Sequence, residues 1–499
     1  MKTKKWSLAV AALACFAVAA GSCGGGGGTN GASDLFVDLH TLMPTANEQP
    51  TPDQPNPINA SRYIAAAYEE LTGTSIHWAS DYAKPTDTIT NIRSWYTTQI
   101  NVRNCPAIGF SFGTGMQEDN LYVDLTEYLE LPNPYVEGNE HWRDCFEDWV
   151  WTDPDVLDAN GRIVSIPLIL AAGSPTAVYY NKDLFEENGL EIPRTWREFS
   201  NTADALRRLP GITYAYAPYA GDTGVSLSSW AVTYSLAPGF AKHMTDRTDY
   251  DGDGVVTTNE LLRAVLEDEF NPNTCQEARA LYTLAYQYYT TFLPTGWQSV
   301  SNWLTPWDEG RIGMKSQGLW YYTTETSDTL RSFEFDIFAP PVAQSDSSAY
   351  ASDLEYKTLE EGYEAPVLMA FNIMKPAVED NPELLERAID FLMYLTVPDA
   401  VTAIVEEKGE GIPAVKDAGY PSLFDDAGWL DNSFAVINDS EWPLGFITAN
   451  TANINAAFND WVLGQSTQQE FFTILNREQK AGAQTMVDNM GIDTSGWNI

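Results

Sequence analysis

Basic residues are scarce in this chain: 28 Lys and Arg stand against 69 Asp and Glu in 499 residues, a formal net charge of −41. So acidic a surface repels nucleic-acid phosphates and anionic lipid headgroups, which removes both as natural partners. Histidine is scarcer still. His40, His77, His141 and His243 show no metal-ligand spacing, and no HExxH, GxSxG, Walker or GxGxxG motif is present, so zinc-hydrolase, nucleophile-elbow and nucleotide-binding chemistry have no anchor here. Cysteines are few. Cys15 lies in the N-terminal apolar run, and Cys23, Cys105, Cys145 and Cys275 form no CxxC and have no histidine partner, so neither a zinc site nor a redox motif is indicated. A Cys105–Cys145 disulfide and three separate buried thiols are both compatible with an oxidising compartment. The apolar run from Leu8 to Ala20 is shorter than the roughly 20 residues that a spanning helix requires.

That run follows Lys2, Lys4 and Lys5 and leads through Ala20-Gly21-Ser22 into Cys23. Residues 1–23 therefore read as a secretory signal with a lipobox and Cys23 as the lipidated residue, with residues 24–33, rich in glycine, as a flexible tether. Three basic residues leave with the signal, so 25 remain against 69 acidic ones, a formal charge of −44. Hydrophobic residues at 44% and aromatics at 12% exclude a disordered chain, and the length suits two lobes with separate cores. The 16 Trp, 25 Tyr and 21 Phe stand out in a secreted protein. Aromatic faces stack on the apolar C–H faces of sugar rings, while Asp, Asn and Gln pair with hydroxyls. Trp95, Trp196 and Trp461 sit within helical patterns and read as core.

The stretch from Gly161 to Leu209 organises the chain. Two short apolar runs, Ile163 to Leu170 and Thr176 to Tyr180, flank the small-residue break Ala171-Ala172-Gly173-Ser174-Pro175 and read as buried strands. A short helix ending at Gly189 follows, then a longer one in which Thr195 and Glu198 have capping-box spacing and Trp196, Phe199, Ala203 and Leu206 share a face. Towards the N-terminus, strands at Leu35–Leu39, Ser75–Trp78 and around Ile108 alternate with helices, which favours an α/β fold with a mainly parallel sheet.

A second motif lies at Asp249-Tyr250-Asp251-Gly252-Asp253-Gly254-Val255-Val256-Thr257-Thr258-Asn259-Glu260. Carboxylates at positions 1, 3 and 5, glycine at 6, an apolar residue at 8, an oxygen side chain at 9 and glutamate at 12 fit an EF-hand loop for a hard Ca²⁺ ion. The ligands would be Asp249, Asp251, Asp253, the Val255 carbonyl, Thr257 and Glu260. The outgoing helix is well marked by Leu261, Leu262, Val265 and Leu266; the incoming one reads as poor. A single unpaired loop suits a structural staple better than a switch.

The segment IPL…AVYYNKDLFEENGLEIPRTWREF resembles the interlobe crossover of the family 1 extracellular solute-binding proteins of ABC importers, the group that includes the maltodextrin binders. Asp308-Glu309-Gly310-Arg311-Ile312-Gly313-Met314 with Gly318-Leu319-Trp320, FDIFAPP from Phe335, the helix from Pro382 to Leu395 and Gly411-Ile412-Pro413-Ala414 resemble later segments in the same order. The resemblance implies a two-lobed type II periplasmic-binding-protein-like fold with discontinuous lobes: residues 34–170 with 310–370 as the N-lobe, residues 171–309 with 371–499 as the C-lobe, and hinge crossings near Ala171, Trp307 and Phe371. It places Trp320 on the N-lobe as a sugar-stacking residue, with Gln317 and Tyr322 beside it and Trp230 as its facing partner on the C-lobe. Ser111, Phe112 and Thr114 follow the third strand towards the ligand, Ser174 lies on the crossover, and Asn450 and Asn453 lie on a C-terminal helix that reaches the ligand in the family. The implied protein is a monomeric, lipid-anchored receptor on the outer face of the bacterial cytoplasmic membrane, passing a sugar or oligosaccharide to ABC transporter permease subunits. The competing class is a secreted, calcium-containing enzyme acting on polysaccharide, which would show a carboxyl group of displaced pKa opposite a second carboxylate in the cleft.

Overall fold

The computed structural model describes residues 34–51, 56–85, 89–110, 120–158, 160–173, 176–219, 224–227, 229–252, 256–354, 356–357, 365–426, 435–436 and 450–499. The strands are β1 (Asp34–Val37), β2 (Ser75–Trp78), β3 (Ile108–Phe110), β4 (Ile166–Leu170), β5 (Thr176–Asn181), β6 (Tyr214–Ala217), β7 (Ile312–Gly318), β8 (Phe335–Phe338), β9 (Tyr356–Lys357), β10 (Val367–Ile373), β11 (Ile412–Pro413) and β12 (Ala435–Val436). They form two mixed sheets and a ribbon.

The first sheet has the order β11-β4-β10-β3-β1-β2. β1 runs parallel to β2 and β3, connected through the helices α1 (Ala60–Thr72) and α2 (Ile89–Asn101), and β10 inserts antiparallel between β3 and β4. Local chemistry sets the limits of α1. Glu407, on the helix Pro398–Lys408, accepts the N–H groups of Asn59 at 2.8 Å and Ala60 at 2.9 Å, placing a carboxylate at the positive helix start. Gly73 closes the other end at φ 74°, a left-handed conformation that glycine adopts without steric cost.

The second sheet has the order β6-β7-β5-β8, with β6 parallel to β7 and β5 antiparallel to both of its neighbours. Strand alternation divides its faces. Val178, Tyr180 and Phe338 enter one core, with Phe199 and Leu206 of α4 (Trp196–Leu206), which follows the short α3 (Lys182–Asn188); Ala177, Tyr179 and Ile337 enter the core that also holds the first sheet. The capping box of Thr195 and Glu198 starts α4 as its sequence predicts. Each large apolar side chain buried on its inner face contributes roughly 1.5–3 kcal/mol.

Strand pairing corrects the expected lobe boundaries. β7 pairs with β5 from Thr176↔Gly318 to Tyr180↔Met314, so residues 312–338 belong to the second lobe. β10 joins β3 and β4, so the chain is back in the first lobe by Val367 and stays there through β11. The helices Thr451–Val462 and Gln468–Met490 then pack into the second core. The chain therefore changes lobe between β4 and β5, between β8 and β10, and between β11 and the helix Thr451–Val462, rather than near Trp307 and Phe371. β9 and β12 pair antiparallel and so tie the two later crossings together.

The helix entering the acidic loop is also better than its sequence suggests. α5 (Trp230–Thr248) runs 19 residues straight through Pro238. Proline costs a helix the N–H bond to residue i−4, here Tyr234, and the turn around it is anchored from outside: the Ser235 carbonyl accepts from Ala343 N–H at 2.8 Å and that of Gly239 from Ser352 N–H at 2.7 Å. A Cβ at Gly239 would lie 2.0 Å from the Ala343 carbonyl oxygen, so glycine is what lets the segment approach. Beyond α5 come α6 (Thr258–Leu266) and α7 (Gln276–Gln287). Among the described residues no single helix is long and apolar enough to cross a membrane.

Candidate functional site

The carboxyl ends of the parallel strands in both lobes point to the first crossing, since β4 leaves the first sheet at Leu170 and β5 enters the second beside Gly318. In open α/β sheets this is the end at which ligands bind. On the second lobe three aromatic side chains gather there. Tyr219, two residues beyond β6, stacks on Trp230 at the start of α5, with centroids 6.0 Å apart and planes within 8°; Trp320, two residues beyond β7, meets Trp230 edge to face at 5.3 Å and 88°. Trp230 is 41% exposed and the other two are half-buried. Gly318 makes room for this arrangement, because a Cβ there would lie 2.3 Å from indole atoms of Trp320.

Beneath the platform, β7 carries a buried ionic group. Lys315 pairs with Glu325 at 2.5 Å, and Glu325 also accepts from Trp307 Nε1 at 2.6 Å and Arg331 at 2.9 Å. The Lys315 ammonium sits 4.2 Å from the centroid of the Trp307 ring. Burial pushes the Lys315 pKa down, opposed by the Glu325 charge. A buried charge left without its partners is costly, so Lys315, Glu325 and Arg331 hold one another in place.

On the first lobe, the end of β1 continues into Asp38, Leu39 and His40. Asp38 is fully buried; its Oδ1 accepts from His40 N–H at 2.7 Å and Lys84 Nζ at 2.9 Å, and its Oδ2 accepts from the Tyr96 hydroxyl. Tyr96 in turn accepts from Phe110 N–H at 2.7 Å, joining the ends of β1 and β3. His40 stacks on Phe110 at 4.0 Å with planes within 4°, and its Nδ1 lies 3.0 Å from Lys84 Nζ. Burial, then the charges of Lys84 and Lys408, push the His40 pKa down to about 3.

A separate acidic site joins α5 to α6. Carboxylate oxygens of Asp249, Asp251 and Glu260 lie within 4.8 Å of one another. Gly252, at φ 76°, makes the turn and donates to Asp249 at 2.7 Å. Glu260 accepts from Tyr250 N–H at 2.8 Å and forms the capping box of α6 with Thr257. Burial raises the Glu260 pKa, but the bonds it accepts from Thr257, Tyr250 and Asp251 outweigh this and leave it lowered. A helix on each side and three convergent hard oxygen donors fit a calcium ion.

A family model described as bacterial extracellular solute-binding protein matches residues 64–428. The chain belongs to this family. The comparison with curated proteins found no match. Among solved structures, the solute-binding protein is similar to one from work on xylan utilization by Caldanaerobius polysaccharolyticus, at TM-score 0.55 and 15% identity over 89% of this chain and 99% of that one. It is also similar to the bacterial solute receptor AcbH, described as having an exclusive preference for β-D-galactopyranose, at TM-score 0.53 and 13% identity over 91% of this chain and 100% of that one.

Trp320 and Trp230 of this solute-binding protein do come together, but on the same lobe and in direct contact, which corrects the expectation that they face each other from opposite lobes. The cause is the placement of β7 in the second sheet. Gln317 folds back so that its Oε1 accepts from Gly318 N–H at 3.0 Å, and Tyr322 packs on Phe335 at 5.3 Å. Asn450 and Asn453 both donate to Glu478, on the last helix, at 3.0 Å. Asn455 instead reaches the segment before Trp230, accepting from Leu227 N–H at 3.0 Å. Cys23, Ser111, Phe112, Thr114, Ser174, Asp253 and Val255 lie outside the described residues. Cys105, Cys145 and Cys275 are free thiols. No sequence motif marks Tyr219, Asn455 or the His40 group; a Tyr two residues after the short run Tyr214–Ala217 is the one available signal.

Proposed function

We propose that this solute-binding protein is a lipid-anchored receptor that captures a sugar or oligosaccharide between its lobes and delivers it to an ABC importer permease. The observation that carries the reading is the Tyr219–Trp230–Trp320 surface at the carboxyl ends of β6 and β7, beside the first crossing. Flat, partly exposed aromatic faces at a hinge match the apolar faces of pyranose rings. The xylan and β-D-galactopyranose associations of the two structural neighbours support the same ligand class. The lipobox at Cys23 supports attachment to the outer face of the cytoplasmic membrane, and the family supports a permease partner. The acidic loop would hold Ca²⁺ through Asp249, Asp251, Asp253, Val255, Thr257 and Glu260, supplying charge that staples α5 to α6.

The enzyme reading has less support. Among the described residues, the carboxyl raised beside a second carboxyl is Asp308, pushed up to about 6 by burial and then by Asp328. Asp308 is buried, and its charged neighbours Asp328, Glu325 and Lys315 belong to the ionic group around Lys315 rather than to the exposed aromatic faces. A thermal-shift screen with D-galactose, D-glucose, D-xylose, maltose and xylobiose tests the receptor reading, since a ligand at 100 times its Kd adds about 2.7 kcal/mol to stability. Calorimetry on Trp320→Ala should then show a loss on the order of 1–3 kcal/mol of sugar affinity with the fold retained. Unchanged affinity in a folded variant would remove Trp320 from the site.

A further inference from the structure

Just beyond the carboxyl end of β1 stands a histidine whose hydrogen-bonding state is set by a buried cation. Lys84 has a fully buried side chain, is held by Asp38 at 2.9 Å and lies 3.0 Å from His40 Nδ1. An ammonium has donors only, so Nδ1 of His40 must accept, and the ring proton must sit on Nε2. The ring is fixed in orientation by its parallel stack on Phe110, at 4.0 Å. The backbone is held as well: His40 has φ 52°, a conformation uncommon outside glycine, with its N–H bonded to Asp38. Neutral imidazole is the form that survives here, because burial and the charges of Lys84 and Lys408 oppose a second proton. His40 is nevertheless only half-buried, and it sits where β1 and β3 part in opposite topological directions, the switch point of the sheet.

We propose that His40 is a locked Nε2–H donor that reads an acceptor oxygen of the ligand from the first lobe, opposite the aromatic surface of the second. This rests on the carbohydrate reading and deepens it. The site would take neutral sugars that offer a hydroxyl or ring oxygen to the donor, and Lys84 acts through His40 as a positioning residue without touching the ligand. Such a donor stays in one state across the neutral range, where an ordinary histidine would change charge.

Two measurements test the proposal on the full-length protein. Long-range ¹H–¹⁵N spectra at pH 7, with the His40 signal identified by its disappearance in His40→Phe, should show a neutral ring protonated on Nε2; an imidazolium or an Nδ1–H ring overturns the proposal. Calorimetry with the sugar from the panel above that most raises the melting temperature should show binding about tenfold weaker in His40→Phe, which keeps an aromatic ring on Phe110 but has no donor. His40→Gln, whose amide N–H can stand where Nε2–H stood, should recover part of the loss. Wild-type affinity in a folded His40→Phe protein overturns the His40 role and leaves the carbohydrate reading standing. If no sugar in the panel binds the wild type while the ring is found locked, the carbohydrate reading fails and takes the ligand-reading role with it.

Discussion

Gly318→Ala isolates the aromatic surface from the rest of the fold. At φ −72° and ψ 151° the Gly318 backbone is ordinary extended chain that alanine accepts, so the substitution acts only through its new methyl group. That carbon would stand 2.3, 2.3 and 2.4 Å from Cε2, Cζ2 and Cη2 of Trp320. Carbon atoms pack at about 3.5–4.0 Å, so the indole must move by more than about 1 Å and gives up its edge-to-face contact with Trp230. The pair is worth about 0.5–1.5 kcal/mol, and the lower unfolded-state entropy of alanine returns about 0.4–1 kcal/mol, so the melting temperature should barely change. Sugar binding should weaken by about 1–3 kcal/mol, or roughly 5- to 150-fold, because the stacking face is displaced. Titration calorimetry read beside a melting curve decides the matter. Wild-type affinity would mean that the sugar does not rest on Trp320, and a stability loss beyond about 3 kcal/mol would mean that the indole is a core clamp.

Chelation of calcium should lower the melting temperature, and Glu260→Gln should remove that dependence while keeping the start of α6, since glutamine also serves in a capping box; melting curves that coincide with calcium and with chelator would refute the metal site. Asp308→Asn should stabilise the protein in a pH-dependent way. The folded-state pKa of Asp308 is about 6 against an ordinary 3.8, raised by burial, then by Asp328 and Glu325. A raised carboxyl favours the fold most while it is neutral, and that contribution fades as pH rises through 6. The variant's advantage should therefore be small near pH 4, grow through pH 6 and level off above pH 7; an equal advantage at pH 5 and pH 8 would refute the assignment.

Wherever a structural decision is local, the residues announce it. Thr195 and Glu198 lie three positions apart, and their capping box forms as spaced; the helix Pro382–Leu395 keeps its expected limits, with Asn381 capping its start. The acidic loop is legible for the same reason, because Asp249, Asp251 and Glu260 need only one turn and one helix start to converge. α5 is less legible, because the contacts that anchor the turn around Pro238 come from Ala343 and Ser352, more than 100 residues away.

The sequence by itself determined the α/β class, the family, the capped helix starts and the two tryptophans worth testing, since periodicity, caps and turns act over a few residues. Only the tertiary structure decided which sheet receives Ile312–Gly318, because an apolar strand pairs equally well by pattern with either sheet and the choice is made by register against β5. That choice moved Trp320 to the lobe of Trp230 and made one aromatic surface of what read as two facing walls. Likewise nothing near His40 announces its role: Lys84, 44 residues on, supplies the charge that fixes its proton, and only folding brings a buried ammonium to within 3.0 Å of the ring.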